Sequence, residues 1–128
     1  MIKEYKKGVD EKLSEHFSST EFDCHCSYPE CKITYIDTDL VDYLEKKRAQ
    51  FNEVIKLSNG FRCVRHNKEV GGKVGSFHII GKAADIVFVS RDITAAAYLF
   101  EDANGLGVYK NKHFIHVDVR GYKARWVG

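Results

Sequence analysis

Apolar residues recur along this chain with two periods, one near 3.6 and one near 2. Between 38 and 51, Leu40, Val41, Leu44, Arg48 and Phe51 fall near helical spacing, with Lys46, Lys47 and Gln50 on the other side. That spacing predicts an amphipathic helix over 38–51. Val54–Leu57 predicts a short strand and Ser58-Asn59-Gly60 a turn. Residues 64–70 predict a short helix ended by Gly71-Gly72, with a loop running to Ser76. Ala84–Val89 reads as a buried strand. Ser90–Glu101 predicts a second helix, capped by Ser90, with Ile93, Ala97 and Phe100 as its stripe. After a turn at Asn104-Gly105, Leu106–Tyr109 and Phe114–Val119 form a β-hairpin across the polar tip Lys110-Asn111-Lys112. Upstream, 1–23 reads as a lead-in arm with one helical turn. Ser18, Ser19 and Thr20 offer caps there, and Glu21 stands at capping-box spacing from Ser18. Residues 24–37 lack periodicity and read as a loop. Helices first and a hairpin last predict an α+β fold.

The composition narrows the class. With 128 residues, 44% hydrophobic and 30% charged, the chain is expected to form one domain, 1–128, with a core of its own. The net charge of +2 gives no signal for nucleic acid. No apolar run reaches transmembrane length, so no membrane insertion is expected. The N-terminus, MIKEYKKGVDEKLSEHF, has no apolar segment of the signal-peptide kind, which predicts synthesis in the cytoplasm without a signal peptide. Four cysteines, Cys24, Cys26, Cys31 and Cys63, then suggest free thiols or a metal site before disulfides. Cys24, Cys26 and Cys31 with His25, or with Cys63 as the alternative fourth ligand, form a candidate structural zinc site. The spacing is not C-x2-C, and small buried thiols are the preferred reading. A disulfide from Cys24 or Cys26 to Cys63 is the third.

The chemistry centres on SFHIIGKAADI, Ser76–Ile86. Asp85 stands inside an apolar strand, where an unpaired carboxylate is costly. In FIHVDV, alternation places Phe114, His116 and Asp118 on one face and Ile115, Val117 and Val119 on the other. The second set reads as core, so His116 and Asp118 face a groove or a site. A divalent metal held by His78, Asp85 and His116 would neutralise the carboxylate, since zinc takes imidazole nitrogen and carboxylate oxygen. The competing reading is a hydrogen-bonded core histidine beside an aspartate bonded to backbone amides. Tyr109, Tyr122 and Trp126 either line a groove for an extended peptide or sugar or pack the hairpin. Lys123 and Arg125 either attract acidic groups or form a solvated basic face.

Three blocks carry a family resemblance: LSEHFSSTEFDCHC, LSNGFRCVRHNKEVGGKVGSFHIIGKAADI and GVYKNKHFIHVDVRGYKARW. In that order, with S-x-H-x-x-G-x-A-x-D at Ser76, His78, Gly81, Ala83 and Asp85, the chain resembles zinc peptidases of the D-alanyl-D-alanine carboxypeptidase family. That family includes phage and bacterial cell-wall peptidases, and its fold is shared by the hedgehog signalling domain. The resemblance implies a small antiparallel sheet flanked by helices, with zinc on the sheet face held by His78, Asp85 and His116. It implies Arg62 as the cation that holds a substrate oxygen, and Ser76 as a residue that orients the loop or bonds substrate. Many members place an acidic residue three positions before the last histidine, where this chain has His113. A regular strand would turn His113 to the face opposite His116, so His113 and Asp118 both stand as candidate general base. The partner implied is a peptidoglycan stem peptide, cut by a monomer released through lysis or acting within a phage system. The alternative is a catalytically inactive metal-binding domain for wall recognition or phage structure.

Overall fold

The computed structural model describes residues 1–88 and 91–128. Strand β1 (Ile2–Lys6) pairs antiparallel with β2 (Ile33–Asp37), Ile2 opposite Asp37 and Lys6 opposite Ile33. The arm and the loop predicted here therefore each contain a strand. IKEYK is exposed along nearly its whole length, so no apolar alternation announces it. Between the two strands the expected helical turn is present as a 3-10 turn, Ser19–Phe22, with the Ser18 amide donating to the Glu21 carboxylate at 2.7 Å.

Helix α1 (Thr38–Phe51) follows β2 without a loop because Asp37 caps it, its carboxylate accepting from the Asp39 amide at 2.8 Å. Leu40, Val41 and Leu44 face the core, and Asn52 ends the helix in the left-handed region at φ 49°. Lys47 departs from the pattern. It is buried rather than solvated, its ammonium 2.9 Å from the Asp102 carboxylate and above the rings of Tyr43 and Phe51.

The main sheet has the order β3-β4-β6-β5-β7, from β3 (Lys56–Asn59), β4 (Ala83–Val87), β5 (Gly105–Tyr109), β6 (Phe114–Asp118) and β7 (Ala124–Val127). Neighbours run antiparallel except β7, which lies parallel to β5 at the edge. The fold is thus α+β, as expected, with β7 as an unforeseen addition. Strand β3 starts later than predicted. Val54 is exposed, and Ser58 and Asn59 belong to the strand across a bulge. Gly105 likewise opens β5 instead of closing a turn. Helix α2 (Val64–Glu69) stands where it is expected. Helix α3 (Ile93–Tyr98) is shorter than the predicted 90–101 and is capped by Asp92. Val89 and Ser90, assigned above to the strand end and the helix cap, lie outside the described residues.

Alternation divides the sheet by function. Ala84, Ile86, Ile115 and Val117 are fully buried and join Leu44, Phe88, Ala96 and Phe100 in one apolar cluster. The residues between them, Asp85, His116 and Asp118, stand on the opposite face.

Candidate metal centre

Register brings the first pair of site residues together. On adjacent antiparallel strands Asp85 lies directly opposite His116, and their side chains meet with His116 Nδ1 3.1 Å from Asp85 Oδ1. His78 comes from the 3-10 turn Phe77–Ile80 that leads into β4. Its Nε2 lies 3.2 Å from the same Asp85 oxygen. Two local features hold that turn. Ser76 caps it, its hydroxyl accepting from the His78 amide at 3.3 Å, and Gly81 ends it at φ 77°. A side chain at Gly81 would collide with the Tyr35 backbone of β2, so a glycine is required twice over.

The far nitrogens of both rings are already committed. His78 Nδ1 lies 2.7 Å from the Gly60 carbonyl, which can only accept. His116 Nε2 lies 2.7 Å from Asp118 Oδ2, and the Arg120 guanidinium grips that carboxylate through two nitrogens at 2.7 and 2.8 Å. Each ring therefore carries its proton on the far side. In the neutral tautomers this leaves two nitrogen lone pairs and one carboxylate oxygen converging on one buried point. Three acceptors in that position repel one another unless a cation joins them. The set His78, Asp85 and His116 fits a metal ion on these grounds, with ligand atoms all within 4.8 Å of one another.

When no cation joins them, ring protons facing Asp85 take its place. Burial is the largest influence on Asp85 and pushes its pKa up. Hydrogen bonds and charge from His116 and His78 outweigh it and hold the carboxyl well below the usual range. For Asp118, burial is again the largest influence and acts upward, and Arg120 with His116 overrides it. Burial pulls the His116 pKa down, while its hydrogen bonds to Asp118 and Asp85 reverse this and raise it.

The remaining expected residues divide. Arg62 stands beside the centre: its amide donates to the His78 carbonyl at 3.1 Å, and its guanidinium approaches the Ser76 hydroxyl at 3.5 Å. Its Nε is buried without a hydrogen-bond partner among the described residues. Asp118 is enclosed between His116 and Arg120 and is fully buried. His113 is exposed and occupies the left-handed region at φ 58°, between the 3-10 turn Lys110–Lys112 and β6. It lies outside the regular strand, so the strand's alternation does not assign it a face. Trp126 is part of the site's wall, its ring 5.0 Å from that of His116 and its indole N–H donating to the Tyr109 hydroxyl at 2.8 Å. Tyr122 is exposed, and Arg125 is engaged with the Asn104 carbonyl at 2.9 Å. Lys123 is exposed.

Two contributors escape the sequence reading. Arg120 packs against Phe77, Tyr122 and Trp126 while it holds Asp118, and the D-x-R spacing after His116 is the signal that could have found it. The Gly60 carbonyl carries no signal, because it belongs to a residue read as a turn.

This arrangement has a counterpart among known proteins. The family model described as Peptidase M15 matches residues 15–118, which include all three converging residues. The chain belongs to the M15 peptidases, a family of metal-dependent peptidases. No curated protein matches it. Among the described residues no helix is long and apolar enough to cross a membrane.

Proposed function

We propose that this chain is a zinc peptidase that hydrolyses peptide bonds in peptidoglycan stem peptides, as a D,D-carboxypeptidase or endopeptidase of the endolysin kind. The observation that carries the reading is the convergence of His78 Nε2, Asp85 Oδ1 and His116 Nδ1, with both rear nitrogens spoken for. Two imidazoles and a carboxylate are a donor set that zinc accepts, and three protein ligands leave a position for substrate. When bound there, the ion polarises a carbonyl and lowers the pKa of a water.

The protein's own residues supply the rest. Asp118, fixed by Arg120, keeps the His116 proton on Nε2 and so keeps Nδ1 available. Arg62 has a permanent charge and a guanidinium fork that reaches the Ser76 hydroxyl, which suits a substrate carbonyl or carboxylate oxygen as negative charge builds. Ser76 holds the His78 loop and lies within reach of Arg62. The proton is assigned to His113 in preference to Asp118, because both Asp118 oxygens already accept from His116 and Arg120. The enzyme acts on the wall after release from the cytoplasm, as a monomer.

A second reading, a metal-binding domain that recognises wall peptide without cutting it, is favoured by the imidazole at 113 where many of these peptidases carry an acid. Incubation of the zinc-loaded protein with peptidoglycan separates the two. The peptidase releases free amino groups, a chelator abolishes the release, and His113→Ala lowers the rate about 10²–10⁴-fold. Zinc-loaded protein that binds wall fragments yet releases no amino groups from any wall type favours the binding domain.

A further inference from the structure

We propose that Cys24, Cys26, Cys31 and Cys63 hold a second, structural zinc ion through four thiolates. All four sulfurs lie within 4.8 Å of one another, and Cys63 Sγ is 3.8 Å from both Cys24 Sγ and Cys26 Sγ. A tetrahedron with zinc–sulfur bonds of about 2.3 Å has edges of about 3.8 Å, so the two pairs made by Cys63 stand at the separation a tetrathiolate site needs, and the rest of the cluster lies within about 1 Å of it. None of the four is in a disulfide. His25, the other candidate ligand, is exposed and outside the cluster.

Two backbone amides and a lysine reach the sulfurs. The Cys63 amide donates to Cys24 Sγ and the His66 amide to Cys63 Sγ, each at 3.4 Å. The Lys7 ammonium lies 3.4 Å from Cys26 Sγ, where it offsets part of the excess negative charge of four thiolates around a dication. The chain is built to return Cys31 to the cluster. A turn at Pro29-Glu30 is closed by the Cys31 amide on the Tyr28 carbonyl at 3.0 Å, and Arg65 of α2 stacks on Tyr28 and pairs with Glu30. Each thiol gives up its proton to solvent on binding, with no change in oxidation state.

The site's role follows from what it joins. It ties the 24–31 loop to Cys63, the residue after Arg62 and close to Gly60, whose carbonyl orients His78. The second ion thereby anchors the backbone that presents both Arg62 and the His78 acceptor, without touching substrate.

Protein purified under reducing conditions and reconstituted with Co²⁺ tests this. The expected result is two metal ions per chain and an intense near-ultraviolet thiolate-to-cobalt charge-transfer band. The band persists in His78→Ala, which retains one ion. In zinc-loaded protein the thiols are expected to resist a thiol reagent until a chelator is added. Cys31→Ser, with three thiolates left, is expected to weaken the band per bound cobalt, and if that variant does not fold, the wild-type band and thiol protection decide alone. No charge-transfer band with cobalt bound, or four freely reactive thiols in zinc-loaded protein, or disulfides in the reduced preparation by mass, would overturn the site. The band reports only thiolate ligation, so failure here leaves the His78–Asp85–His116 centre untouched, and the reverse holds too.

Discussion

Asp118 touches no substrate in this account, yet it decides which nitrogen of His116 is free. Replacing it with Asn removes the charge that holds the Nε2 proton and leaves Arg120 facing a neutral amide. Asp118→Asn should weaken metal binding at the histidine–aspartate centre by about 10–100-fold with the fold intact, as read by competition with a chromophoric chelator. Gly105 belongs to the same device. A Cβ there would collide with the Asp118 carboxylate, so the glycine is the space in which that carboxylate sits. At this scale much of the site was legible. The family blocks, with the alternation in FIHVDV, point to the three residues that converge. The partners of their rear nitrogens were less so, because a backbone carbonyl and an arginine after the strand leave no periodic trace.

Elements meet the site through Asp37. Its carboxylate caps α1, pairs with Lys82 at 2.7 Å and lies 3.4 Å from the N-terminal ammonium, while its amide donates to the Gly81 carbonyl. One residue thus joins β1, β2, α1 and the turn that carries His78. Burial alone would raise its pKa, but Lys82, the Asp39 amide and the N-terminus lower it below the unfolded value. The stabilisation is therefore complete above about pH 4, the unfolded carboxylate range, and is lost as the pH falls through the lower folded value. In metal-free protein, Asp37→Asn should cost about 1–2 kcal/mol at neutral pH by urea unfolding, and the gap to wild type should shrink as the pH drops below about 4. Strand β2 was missed although Thr34 and Ile36 alternate as buried positions, because its partner β1 is polar and exposed and nothing local announces the pairing. Strand β7 was missed for a related reason: it is a short edge strand whose pairing with β5 is parallel and long-range.

Across the molecule, the N-terminal arm is a support for the site and not merely a lead-in. Phe22 is buried and packs against Phe17. The Phe61 amide donates to its carbonyl at 2.8 Å, and a Cβ on Gly60 would collide with its backbone. The arm thereby sets the height of the Gly60 carbonyl that His78 needs. Phe22→Ala should cost about 3–5 kcal/mol in denaturant unfolding. In the fraction that remains folded, metal affinity should fall too. Leu44→Ala, which opens the same core away from the site, should lower stability while leaving that affinity near wild type. The convergence of Cys63 on Cys24, Cys26 and Cys31, and the burial of Lys47 against Asp102, belong to this scale as well. Both depend on residues far apart in the chain, which is why spacing alone pointed to inert thiols and a solvated lysine.

One metal ion is proposed to sit where His78, Asp85 and His116 converge. Anomalous diffraction at the zinc absorption edge, from crystals of zinc-loaded protein, tests it without reference to activity. The expected result is a peak bounded by His78 Nε2, Asp85 Oδ1 and His116 Nδ1, at about 2.0–2.2 Å from each. Zinc-saturated crystals with no anomalous peak at that point would contradict it.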